Sequence, residues 1–200
     1  MQVAVRRTGV RLPFSPEKFN EMAATADAAL FSDFVTSYQP IVYRWALTFA
    51  GDSDEAEDLT QETFIRAYRK RRQYRGEGSI EGWLYRVVRS VGSDRRRVSV
   101  RRRVLGRSIL ARPDREVYTT DPGGRIDRER VSALIRRYFE DLPQRQREIF
   151  DLVDLQQYTP AEVALMTGLN AGAVRASLFK ARAVIRAKLV QAFTVKGDIV

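Results

Sequence analysis

Cysteine and histidine are both absent from the 200 residues. Without cysteine there are no disulfides, no thiol nucleophile and no thiolate-held zinc. Without histidine, the commonest metal ligand and the usual general base near neutral pH are missing too. No pair of carboxylates shares a face in a cleft-like context, so the sequence offers no catalytic residue, metal site or cofactor, and an enzyme is not expected. Strand-like alternation and internal repeats are also missing. No segment approaches the roughly 18 consecutive apolar residues of a membrane span. The opening stretch MQVAVRRTGVRLPFSPEKFN has arginines but no apolar run of signal-peptide length. The expectation is a cytoplasmic protein with no membrane insertion.

What is abundant is positive charge. Lys and Arg number 35 against 25 Asp and Glu, giving a net charge of +10 and a pI near 10.3. Such an excess points to a polyanionic partner, most often nucleic acid. A hydrophobic content of 44% is enough for a packed core.

Apolar spacing along the chain is helical. Residues 1–25 carry little periodic pattern and contain Pro13 and Pro16, which reads as a flexible arm. From Leu30 the residues Phe31, Phe34, Val35 and Tyr38 share a face. Pro40 suits the first turn of a following helix that buries Ile41, Val42, Trp45, Ala46 and Phe49. The segment GDSDEAEDLTQETFIRAYRKRR has its acids first and its bases last, the order the helix dipole favours. From Asp52 to Glu62 it has six acids and no base. Helix stability alone could explain those acids; a calcium loop would need a glycine and a spacing that DSDEAED lacks. After the glycine-rich QYRGEGSIEG, a further helix puts Trp83, Leu84, Val87, Val88 and Val91 inward and leaves Tyr85, Arg86, Arg89, Ser90 and Asp94 outward. Dense charge and the Pro122-Gly123-Gly124 run then mark a domain boundary. The expectation is an all-α chain of two small helical domains, 26–103 and 127–195, joined by a flexible linker over 104–126.

The second domain contains a helix-turn-helix pattern. Thr159, Pro160 and Glu162 fit a capping box, Gly168 suits a left-handed helix end, and Asn170 can cap the next helix. Val174, Leu178, Ala181 and Ile185 pack that second helix. Its opposite side shows Arg175, Ser177, Lys180, Arg182 and Arg186, fit for a major groove with the N-terminal half nearest the bases. Phe179 fits either the core or a thymine methyl. A repressor or activator that binds operator DNA without polymerase would explain this domain, but not the first one.

DLTQETFIRAYR, then WLYRVVRS and DRRR, and after a linker LPQRQREIFDLVDLQQYTPAEVALMTGLNAGAVRASLFKARAVIRA, together resemble a bacterial RNA polymerase sigma factor of the sigma-70 family, extracytoplasmic-function group. The resemblance spans roughly Leu30 to Leu189. It implies an initiation factor that binds core RNA polymerase, at its clamp and flap regions, and promoter DNA, with an anti-sigma protein as a further candidate partner. It assigns core docking to Asp58, Gln61, Glu62, Ile65 and Arg66. It assigns −10 recognition and melting to Tyr74, Arg75, Arg86, Arg89, Ser90, Arg95, Arg96 and Arg97. An extruded base needs an aromatic or cationic rest and a basic track, and between Arg66 and Arg107 there are fifteen Lys/Arg against three acids. The −35 element falls to Arg175, Ser177, Phe179, Lys180, Arg182 and Arg186. Departures stand at Ser90, where many relatives have Asn, at Ala176-Ser177, where Ser-Arg is frequent, and at Lys180, where Arg is. They leave the promoter sequence unread, because Lys and Ser give less directional base contacts than Arg.

Overall fold

The computed structural model describes residues 14–50, 52–74, 76, 78–105, 134, 137–139 and 141–194, with side chains from 98 to 105 left aside. Among these residues all regular structure is helical. The N-terminal half has α1 (Pro16–Thr25), α2 (Ala28–Leu47), α3 (Ser53–Lys70) and α4 (Ile80–Leu105). The C-terminal half has α5 (Gln144–Phe150), which runs into a single π-helical turn, Asp151–Leu155. It continues with α6 (Pro160–Thr167) and α7 (Ala171–Thr194).

Two expectations change. The arm read as flexible to Thr25 is a helix from Pro16, capped by Ser15, whose side chain accepts from the Lys18 amide at 3.2 Å. Phe14, Phe19, Met22 and Ala23 are buried, so apolar anchors fix this segment although its pattern is short. Residues 1–13 lie outside the described part. The second change is at Pro40, which begins no new helix but sits inside α2 on its exposed side. Water can satisfy the carbonyl that proline leaves unbonded there, which makes the interruption tolerable.

The core starts where α2, α3 and α4 meet. Phe34, Tyr38, Val42, Trp45 and Ala46 of α2 face Leu59 and Phe64 of α3 and Leu84, Val88 and Val91 of α4. At Gly92 of α4 the chain leaves no room for a side chain, because an added Cβ would lie 2.5 Å from the ring of Phe49, just beyond the end of α2. The core does not stop at the end of the first half. Ile149, Leu152, Val163, Val174 and Leu178 join the same buried cluster, so the halves lie against each other. The linker expected over 104–126 falls outside the described residues from 106 onward.

Candidate nucleic-acid interface

Helix α3 presents Asp58, Gln61 and Ile65 to solvent, with Ile65 52% exposed. Glu62 and Arg66 are half-buried and belong to a network that crosses to α4. Arg66 donates to Glu62 at 2.8 Å, to Asp94 at 2.6 Å and to the Ser90 hydroxyl at 3.2 Å. Arg95 reaches Glu62 at 3.2 Å and Asp58 at 3.7 Å. The structure thus joins Asp58, Glu62 and Arg66, read as docking residues, to Ser90 and Arg95, read as strand residues. A carboxylate on each side raises the Arg66 pKa, chiefly through the Asp94 hydrogen bond.

The loop before α4 corrects a sequence expectation. Tyr74 is not an open platform for a base: it is 8% exposed and meets Phe19 edge-on at 5.0 Å, with Trp83 at 5.9 Å. Helix α1 covers the ring, a long-range contact that local pattern does not reveal. The hydroxyl donates to the Gly78 carbonyl at 3.0 Å. Gly76 and Gly78 have φ of 76° and 78°, a region that costs a side chain roughly 1 kcal/mol or more. Tyr74 therefore shapes the glycine loop from inside. Arg75 lies outside the described residues.

On α4 a second expectation fails. Tyr85, read as outward, is 1% exposed and packs edge-on against Trp45 of α2 at 5.4 Å, with Glu148 and Asp151 of the C-terminal half also beside it. Burial pushes its phenol pKa up. Arg86 is exposed and reaches the Leu165 carbonyl at 3.5 Å. Arg89 pairs with Glu148 at 3.0 Å and donates to the Thr167 carbonyl at 3.2 Å. Arg96 donates to Gln144 at 2.7 Å, while Arg97 is exposed.

The helix-turn-helix forms as its local signals require. Thr159 and Glu162 make the reciprocal capping box, Gly168 ends α6 at φ 73°, and Asn170 accepts from the Ala173 amide at 2.7 Å. Val174, Leu178, Ala181 and Ile185 are buried against the rest of the half. Opposite them Arg175, Lys180 and Arg186 are exposed and Ser177 is half-buried. Phe179 is 75% exposed, which removes it from the core. Arg182 is held by Asp154 in a two-pronged pair at 2.9 and 2.5 Å.

The sequence reading passed over Glu148 and Asp151, yet both are buried. No local signal marks them, because groups of the N-terminal half reach them, Arg89 for Glu148 and Thr48 for Asp151. Burial raises the pKa of Glu148 and pushes Asp151 up to about 6. Among the described residues no acidic cluster could hold a metal, and no helix is long and apolar enough to cross a membrane.

A helical chain with an acid-fronted surface helix, a basic helix beside a glycine loop and a capped helix-turn-helix defines a two-part DNA-binding protein. Comparison with known proteins gives the same class and narrows it. The profile of Sigma-70 region 2 matches residues 34–102, and that of Sigma-70, region 4 matches residues 132–185. The chain is 30% identical over 168 residues to the ECF RNA polymerase sigma factor SigE of Mycolicibacterium smegmatis, covering 82% of this chain and 64% of that one. It is 26% identical over 173 residues to the RNA polymerase sigma-H factor of Pseudomonas aeruginosa, covering 82% and 89%. Two solved structures share the fold at TM-score 0.59. RpoE in complex with the anti-sigma factor NepR, from Bartonella quintana, is 19% identical and matches 80% of this chain and 96% of its own. CnrH in complex with the cytosolic domain of CnrY is 20% identical and matches 87% and 96%. The chain belongs to the sigma-70 family, in its extracytoplasmic-function group.

Proposed function

We propose that this sigma factor directs transcription initiation by docking core RNA polymerase through α3, holding the melted −10 strand along α4, and reading the −35 duplex with α7. The observation that carries the reading is the exposure of Arg175, Phe179 and Lys180 on one side of a helix whose other side is locked into the core. A helix so held can enter a major groove as a rigid body, with Arg and Lys directed at base edges and Phe at a thymine methyl. Arg186 adds phosphate attraction. Arg182 does so only as far as Asp154 lets it go.

Docking falls to Asp58, Gln61 and Ile65, which are open to a partner, with Glu62 and Arg66 setting their frame. The strand track is Arg86, Arg89, Ser90, Arg95, Arg96 and Arg97. The factor has no chemistry of its own and works in the cytoplasm. An anti-sigma protein is a further partner in this proposal, supported by RpoE, which shares the fold and is solved with one.

The test is transcription in vitro with core polymerase on genomic fragments, with start sites mapped. Asp58→Lys with Ile65→Glu should weaken core binding while helix content by circular dichroism stays constant. Unchanged core affinity in that variant removes the docking assignment, and operator-like binding with no effect on core polymerase favours the simple regulator.

A further inference from the structure

We infer that α1 is a positioning element for the −10 strand: through Tyr74, Phe19 sets the shape of the glycine loop that meets an unstacked base. The inference rests on the reading above that this strand lies along α4, because the loop leads into the first turn of that helix. Phe19 is fully buried and touches three parts of the chain at once. Its ring meets Phe34 of α2 at 5.3 Å, Tyr74 at 5.0 Å and Trp83 of α4 at 5.3 Å, each edge-on.

The helix that carries Phe19 is itself fixed. Phe14 and Met22 are buried with it, and Phe14 packs edge-on against Phe34 at 5.4 Å. At its end Ala26 takes a left-handed conformation, φ 56°, which an alanine adopts only at a cost. The Asp27 carboxylate then accepts from the Ala29 amide at 2.7 Å and starts α2. A turn this tight leaves no slack between the two helices, so Phe19 holds one place under the loop.

The loop depends on what lies beneath it. Gly76, Gly78 and Ser79 are exposed, and no atom stands within 4 Å of where a Cβ on either glycine would be. That open side lets a flat base come close to the backbone, as an extruded nucleotide requires. From below, the Tyr74 hydroxyl donates to the Gly78 carbonyl at 3.0 Å, while the Ser79 hydroxyl accepts from the Gly82 amide at 3.0 Å. The second bond holds only the entry to α4. The first reaches a glycine of the loop, and its direction is set by the Tyr74 ring, which Phe19 and Trp83 hold from two sides. Core filling alone would need a buried ring at position 74 and nothing at its tip. Here the tip carries a loop carbonyl, so a displaced ring displaces the loop.

The test uses holoenzyme reconstituted with core polymerase and a labelled −10 strand from a mapped promoter, intact or with an abasic nucleotide at each position in turn. For the parent, one position should cost roughly fivefold or more in affinity, the lower end of what a single base contact is worth. Phe19→Leu should bring that ratio close to one with core affinity unchanged. Phe64→Leu makes the same exchange in the same core, at a ring of α3 that packs on Phe34 at 6.1 Å, and should keep the parent's ratio. Each ratio is taken within one protein, so a smaller folded fraction cancels. Gly78→Ala strains the backbone where nothing crowds a Cβ and should lower the ratio with α1 intact. A parent ratio in Phe19→Leu or Gly78→Ala, or an equal loss in Phe64→Leu, overturns the inference. If no abasic position costs the parent anything, the strand-binding reading of α4 falls. Amide exchange at Gly76 and Gly78 then still decides whether α1 holds the loop: it should be faster in Phe19→Leu than in Phe64→Leu, and equal rates refute the brace.

Discussion

Asp151 allows a quantitative test of how the halves are held. The residue as a whole is 9% exposed, and burial moves its pKa from the ordinary 3.8 to about 6. Hydrogen bonds from Thr48 and Gln156 oppose that rise without cancelling it. Between these two values the folded chain keeps a proton that the unfolded chain has lost. Stability must then fall as pH rises, by about 1.4 kcal/mol per pH unit while the difference in bound protons is complete. Two pH units give a total of about 3 kcal/mol, present below pH 4 and gone above pH 6. Asp151→Asn keeps the shape and cannot ionise, so it should lack this component. Urea unfolding of both proteins, followed by circular dichroism from pH 4 to 7.5, isolates it, because shifts at other groups cancel in the difference. Asp151→Asn should gain on the parent by up to about 3 kcal/mol as pH rises through that range. A constant offset between the two proteins, or a difference that changes with pH in the opposite sense, refutes the argument that burial governs this group.

Three further outcomes are expected. Gly92→Ala forces a Cβ to within 2.5 Å of the Phe49 ring and should destabilise by about 1–3 kcal/mol, read as a lower urea midpoint at constant slope. Tyr74→Phe removes the bond to the Gly78 carbonyl and should cost about 1 kcal/mol of stability while loosening the glycine loop, visible as faster amide exchange over residues 76 to 80. Asp154→Ala frees Arg182 from its two-pronged pair and should strengthen binding to promoter and scrambled duplexes alike, with a steeper salt dependence of the affinity.

What could be read from the sequence follows the range of the interactions involved. The turn around Gly168 was legible because its cap, its left-handed residue and the following Asn170 act within a few residues of one another. The inward set on α4 was legible too, since Trp83, Leu84, Val88 and Val91 repeat at helical spacing. Tyr74 and Tyr85 were misplaced for a shared reason. Each is covered by distant parts of the chain, α1 for one and α2 with the C-terminal half for the other, and periodicity carries no information about what arrives later. For the same reason Glu148 and Asp151 looked like ordinary surface acids. The exposed set on α7 was open to reading because nothing among the described residues covers Arg175 or Phe179.

The π-helical turn at Asp151–Leu155 sets the angular relation between two acids. Asp151 points to Thr48 of the N-terminal half and Asp154 to Arg182 of α7. Three residues apart in an ordinary helix, they would lie on nearly one face, about 60° from each other. A turn closed by i to i+5 bonds spreads about one more residue over nearly the same arc as an ordinary helical turn, so the extra residue is absorbed locally and opens the angle between the two acids. Deleting it would restore ordinary spacing with little change of heading downstream, and either Asp151 or Asp154 would then lose its partner. The extra residue thus lets one helical turn serve two partners on different sides, Thr48 and Arg182.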